Sequence, residues 1–89
     1  MTTLFVRHQV ADYAKWRQVY DTFGSVQQRF GVNAKAVYRA ADNPNDVTVT
    51  HDFPALEAAQ QFASSDELHE AMSKAGIVGE PAIWFANKA

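Results

Sequence analysis

Residues 47–53, VTVTHDF, alternate apolar and polar side chains as a half-buried strand does, and the turn formers DNPND (42–46) stand directly before them. Val47 and Val49 point to one face, and the next residue in phase is His51. Back across the turn, NAKAVYRAA (33–41) reads as another strand, which predicts a hairpin with a loop longer than two residues. Near the N-terminus TLFVRH (3–8) repeats the pattern, with Leu4 and Val6 followed in phase by His8. Two strands therefore carry a histidine where a third apolar residue is expected.

Between these strands lies the strongest helical signal in the chain. Asp12 suits an N-cap, and Tyr13, Trp16, Tyr20, Phe23, Gln27 and Phe30 follow at three- and four-residue spacing, flanked by Val19 and Val26. This stripe predicts one helix over 12–30, closed by Gly31 as a left-handed cap. Downstream, Pro54 fits the first turn of a helix carrying Leu56, Ala59, Phe62 and Ala63. Ser64 with Glu67 has the spacing of a capping box and predicts a further helix through Leu68, Met72 and Ala75, ended by Gly76. AIWFA (82–86) reads as a last strand. No repeat, low-complexity tract or linker interrupts the 89 residues, so one domain over 1–89 is expected.

The order strand, helix, strand, strand, helix, strand defines an α+β class. It is the ferredoxin-like βαββαβ arrangement, a four-stranded antiparallel sheet with helices on one face. Strands 1 and 3 are read as parallel neighbours at its centre, which sets His8 and His51 side by side at one end of the helix-covered face. The valines mark that face, and the stripe of helix 1 roofs it. Phe5, Arg7, Thr48 and Thr50 fall out of phase with the histidines and belong to the bare face. Trp84 is expected to face away from its neighbours Ile83 and Phe85, without a choice of which side serves an interface.

Composition sharpens this. Hydrophobic residues make up 47% of the chain, with six Phe, three Tyr and two Trp, more apolar bulk than a small monomer hides easily. A homodimer through the open sheet face and an apolar cleft are the two outlets. The net charge of −2 comes without a basic cluster, so nucleic acid is not an expected partner. No apolar run reaches the roughly 18–20 residues that span a bilayer, and no membrane partner is expected. MTTLFVRHQV lacks the parts of a secretory leader, and a cytoplasmic location is the expectation. The absence of cysteine excludes a disulfide, a thiolate nucleophile and a cysteine metal site.

VRHQVADYAKWRQVYD, SSDELHEAM and AGIVGEP resemble stretches of the dimeric α/β-barrel superfamily that includes antibiotic-biosynthesis-monooxygenase-like proteins, and the likeness spans nearly the whole chain in element order. The resemblance implies a barrel closed across a dimer, with ligands held between helices and sheet. It also implies chemistry drawn from cofactor-independent oxygenation, haem degradation, and rearrangement of lactones or aromatic rings. Monooxygenase members set an Asn and a Trp, often with an Arg or His, around the substrate. Here Asn33, Asn43, Asn45 and Asn87 fall in loops or at strand ends, so no catalytic residue is carried over.

Two readings of the histidines compete. In one, His8 and His51 are an acid/base pair at the floor of a cleft walled by Tyr13, Trp16, Tyr20 and Phe23, serving a small organic or aromatic molecule. Imidazole titrates near neutrality and suits proton transfer. Gly24, near the inward stripe, then leaves room for the ligand. In the other, the histidines end strands, bonded to a carbonyl or to Asp52, and the module is a non-catalytic dimer with a side-chain-filled cleft. No cofactor or metal is expected: Asp12 or Asp52 with the histidines only imitates a two-histidine, one-carboxylate site. His69, between Glu67 and Glu70, reads as a surface residue rather than a haem ligand.

Overall fold

The computed structural model describes residues 1–89. Its elements are β1 (Thr2–Val10), α1 (Tyr13–Thr22), α2 (Gly24–Arg29), β2 (Ala34–Ala40), β3 (Asn43–Phe53), α3 (Leu56–Ala63), α4 (Asp66–Lys74) and β4 (Ile77–Asn87). The four strands form one sheet in the order β2-β3-β1-β4, antiparallel throughout. This is the ferredoxin-like α+β fold that the element order predicts.

The direction of the central pair corrects the sequence reading. β1 and β3 are antiparallel, with Leu4 opposite His51, Val6 opposite Val49 and His8 opposite Val47. The reason is topological: helix 1 returns the chain so that β2 runs parallel to β1, and the tight hairpin then reverses β3. Paired residues share a face, so both histidines do lie under the helices. They sit four residues apart along the register, about 13 Å at strand rise.

Several boundaries also move. The hairpin loop is Ala41-Asp42, two residues rather than more, because Asn43 pairs with Ala40. The irregularity expected of DNPND becomes a register shift beside Pro44. Helix 1 divides at Phe23, whose ψ of −1° ends the first segment. The amides of Val26 and Gln27 both donate to the Phe23 carbonyl as α2 begins. Asp12 does cap α1, accepting from the amides of Ala14 and Lys15. Gly31 and Gly76 adopt positive φ (94° and 73°) where helices end. The cap of α4 is Ser65, one residue later than read, and Glu67 pairs with Arg29 on α2.

The buried side chains form two groups. One gathers Leu4, Val6, Phe53, Ala59, Phe62 and Leu68 beneath α3 and α4. The other gathers Val10, Trp16, Val47, Val49 and Ala75, with Tyr13, Val19 and Tyr20 of α1 against it. Each follows from strand alternation meeting the apolar stripe of a helix. The seam between the two groups is where the cavity opens.

On the bare face, Phe5 and Trp84 stack with centroids 5.2 Å apart, and Tyr38 stands exposed. Trp84 therefore points away from Ile83 and Phe85, which pair with Val6 and Leu4 on the other side. Arg7, also on the bare face, makes a two-pronged contact with Asp46 at 3.0 and 2.6 Å.

Candidate functional site

A cavity of about 50 Å³ lies between α1, α2, α4 and the sheet. Its floor holds Val6, His8, Val49 and His51, and its roof is Trp16, Val19, Tyr20, Phe23 and Gln27. The third side is one face of α4 (Leu68, Ala71 and Met72) with its C-cap Ala75, spaced by three and four residues. Of the six residues the sequence singles out, His8, His51, Trp16, Tyr20 and Phe23 line this space. Tyr13 does not. It stacks on the outer side of Trp16, with the Arg39 guanidinium 3.8 Å from its ring centroid. Gly24 is outside too: a Cβ there would meet Lys35 Nζ at 3.8 Å, so the room it leaves is beside that lysine.

His8 and His51 are buried, 6% and 4% exposed, and they are held differently. His8 packs against Trp16, and neither of its ring nitrogens has a hydrogen-bond partner. Burial lowers its pKa, while the charge of Asp46 acts the other way. The backbone opposite is irregular, because the β1–β4 register shifts between Arg7 and Gln9 around Gly79, which has a φ of 77°. Such bulges re-aim the side chains near them.

His51 packs against Phe62, centroids 5.0 Å apart, and its Nε2 lies 3.0 Å from Nε2 of Gln27. Gln27 is 2% exposed, and its Oε1 accepts from Lys35 Nζ at 2.6 Å. Burial, and secondarily the Lys35 charge, push the His51 pKa down to about 4, so the ring is neutral at physiological pH. Its Nδ1 is buried and unpaired. A buried polar atom left so costs roughly 1–3 kcal/mol, and three such atoms, on two residues around one cavity, make it the candidate site.

Sequence reasoning passes over Gln27 as a site residue. It serves there only as a position completing the helical stripe, yet an amide in phase with five aromatics is itself a signal, since a buried amide needs partners. The carboxylates considered as metal ligands are engaged elsewhere. Asp12 caps α1, while Asp52 lies on the bare face, accepting from Thr3 at 2.6 Å and Lys88 at 3.3 Å. No group of three or more His, Asp or Glu side chains is gathered closely enough to hold a metal ion. His69 Nδ1 is 2.9 Å from the Ser65 carbonyl, one helical turn back.

No helix is long and apolar enough to cross a membrane. No protein-family model and no curated protein matches the sequence. Solved structures do match its fold. A candidate antibiotic biosynthesis monooxygenase from Bordetella bronchiseptica superposes with a TM-score of 0.85 at 15% identity, over 99% of this chain and 96% of that one. A second, from Caulobacter crescentus, gives 0.80 at 14% identity, over 99% and 89%. SnoaB, a cofactor-independent oxygenase from Streptomyces nogalater, gives 0.76 at 14% identity, over 99% and 94%. The chain thus has the ferredoxin-like fold of the antibiotic biosynthesis monooxygenase structures, as the resemblance implied. At these identities the likeness is one of fold.

Proposed function

We propose that this protein is a homodimer that binds a small, partly aromatic organic molecule between helix 1 and the sheet and performs cofactor-independent, monooxygenase-like chemistry on it. The observation that carries this reading is the pair of buried imidazoles with unpaired nitrogens on one aromatic-walled cavity. The fold shared with SnoaB, a cofactor-independent oxygenase, supports the reaction class.

In this reading the substrate brings an activated C–H or O–H, and His8 removes its proton. Both His8 nitrogens are free, and the charge of Asp46 partly offsets the effect of burial on its basicity. His51, whose pKa is about 4, is too weak a base for that role and serves as a neutral partner. The substrate anion supplies the electrons to dioxygen. For a methylene substrate the balance is one methylene group and one dioxygen giving one carbonyl group and one water. One oxygen atom enters the product, and the other leaves as water with both methylene hydrogens. Aromatic walls exclude solvent from the anion.

Dimerisation is supported by the apolar surface left uncovered. Tyr38 and Trp84 are 59% and 43% exposed on the bare face, and on the edge strand β4 Val78 is exposed as well, with Ile83 and Phe85 exposed on its opposite side. Exposed apolar edge strands are ordinarily covered.

One observation favours the non-catalytic reading. The cavity of about 50 Å³ is a third of the roughly 150 Å³ that admits benzene elsewhere, so a ring-sized ligand must displace the α4 wall. Met72 is the flexible member of that wall. Oxygen uptake with a panel of dihydroxynaphthalenes, run with and without chelator, separates the two readings. Catalysis predicts uptake above the spontaneous rate, unaffected by chelator and reduced at least about 100-fold in His8→Ala. Uptake no faster than the spontaneous rate with every member, together with no binding, supports the filled module.

A further inference from the structure

His51, Gln27 and Lys35 form a chain whose orientation is fixed from one end. A lysine ammonium can only donate hydrogen bonds. The atom of Gln27 facing it at 2.6 Å must therefore be the carbonyl oxygen, which turns the amide nitrogen towards His51. An amide nitrogen also only donates, so His51 Nε2, 3.0 Å away, accepts. A neutral imidazole has one donor and one acceptor nitrogen, and the proton is left on Nδ1. That N–H is buried and has no partner within the protein.

We infer that Lys35 and Gln27 are positioning residues that hold His51 as its Nδ1–H tautomer, making it a fixed donor that selects ligands presenting an oxygen acceptor, as a phenolate, enolate or carbonyl does. The inference rests on the cavity being the ligand site, and it adds a direction to that site. His8 has no such chain and remains free to accept or donate. A ligand lying between them would turn its acceptor oxygen to His51 and its proton-bearing group to His8.

Lys35 stands at the rim rather than in the cavity wall, with its ammonium 5.3 Å from the Tyr20 ring centroid. Its charge reaches His51 through Gln27 and directly, and it also contacts Tyr20 of the cavity wall. Lys35 does not itself line the cavity, so its removal should alter the tautomer without deleting a lining side chain, which sets it apart from a wall residue.

Long-range proton–nitrogen correlation spectra of the protein labelled at its histidine rings report which nitrogen carries the proton. In the unaltered protein His51 should show a protonated Nδ1 and a bare Nε2. In Lys35→Met the two tautomers should mix, and in Gln27→Glu the proton should move to Nε2, because a carboxylate accepts from it. A protonated Nε2 in the unaltered protein overturns the inference, and so does a tautomer unmoved in both variants.

The ligand arm uses 4-nitrophenol, whose absorbance distinguishes phenol from phenolate. Binding to the unaltered protein as phenolate, weakened about tenfold in the neutral variant Gln27→Leu, is the expected result. Equal binding to both proteins overturns the acceptor preference while leaving the cleft as a ligand site. No binding to either, with the His51 tautomer as expected, overturns the cleft as a site for ring-sized phenols and the acceptor preference with it.

Discussion

His51 and His8 lie on the same face of one sheet and border one cavity, yet one is held by a chain of hydrogen bonds and the other by packing alone. The His51 end belongs to the group around Phe62, with Phe23, Phe30 and Phe53 in contact. The His8 end belongs to the group around Trp16, stacked between Tyr13 and Tyr20. The contrast shows how two identical side chains acquire different chemistry. A partner that can only donate makes His51 a fixed neutral donor, and the lack of any partner leaves His8 adaptable.

The largest way to break the contrast is to empty one end. Phe62 is fully buried and touches His51, so Phe62→Ala should cost about 3–5 kcal/mol and lower Tm by more than about 12 °C in thermal unfolding. The His51 tautomer should be lost with it.

Acid is the next largest perturbation. The unfolded imidazole takes its proton near pH 6.5, and folded His51 only near 4. Between those values the unfolded chain binds more protons, so the His51 contribution is complete above pH 6.5 and is lost as pH falls through 4. Its size is about 3 kcal/mol, with His8 acting in the same direction because its pKa is also lowered. Urea unfolding across this range should show the loss in the unaltered protein and a shallower one in His51→Leu.

At neutral pH, replacing each ring by an aliphatic side chain of similar volume should give opposite signs. His51→Leu strands the buried Gln27 amide and should destabilise by about 1–3 kcal/mol. His8→Leu removes two unpaired polar atoms and strands nothing, so it should stabilise by about 1 kcal/mol in the absence of ligand. Equal changes of the same sign would mean that the two ends are alike. A residue that stabilises when removed is the usual sign of a group retained for function.

Much of this is legible in the residues. Strand alternation puts both histidines on the covered face, and the stripe of helix 1 names Trp16, Tyr20 and Phe23 as walls. Periodicity does not report strand direction, and reading β1 and β3 as parallel sets the histidines side by side when they stand at opposite ends. The break at Phe23 is likewise invisible, since the apolar spacing continues through it. Helical spacing puts Tyr13 in the wall because it does not show where the sheet beneath the helix ends. The Lys35–Gln27 contact joins a strand to a helix across eight residues, and no local pattern encodes it.

A small organic molecule held in the space between the two histidines must be felt by both rings at once. The most direct test titrates 1,4-dihydroxynaphthalene under anaerobic conditions while following the ring signals of all three histidines. His8 and His51 are expected to shift together, to saturate at one concentration and to move further than His69, an exposed residue of α4 outside the cavity lining. Signals of His8 and His51 that stay still, or that move no more than His69, would contradict binding there.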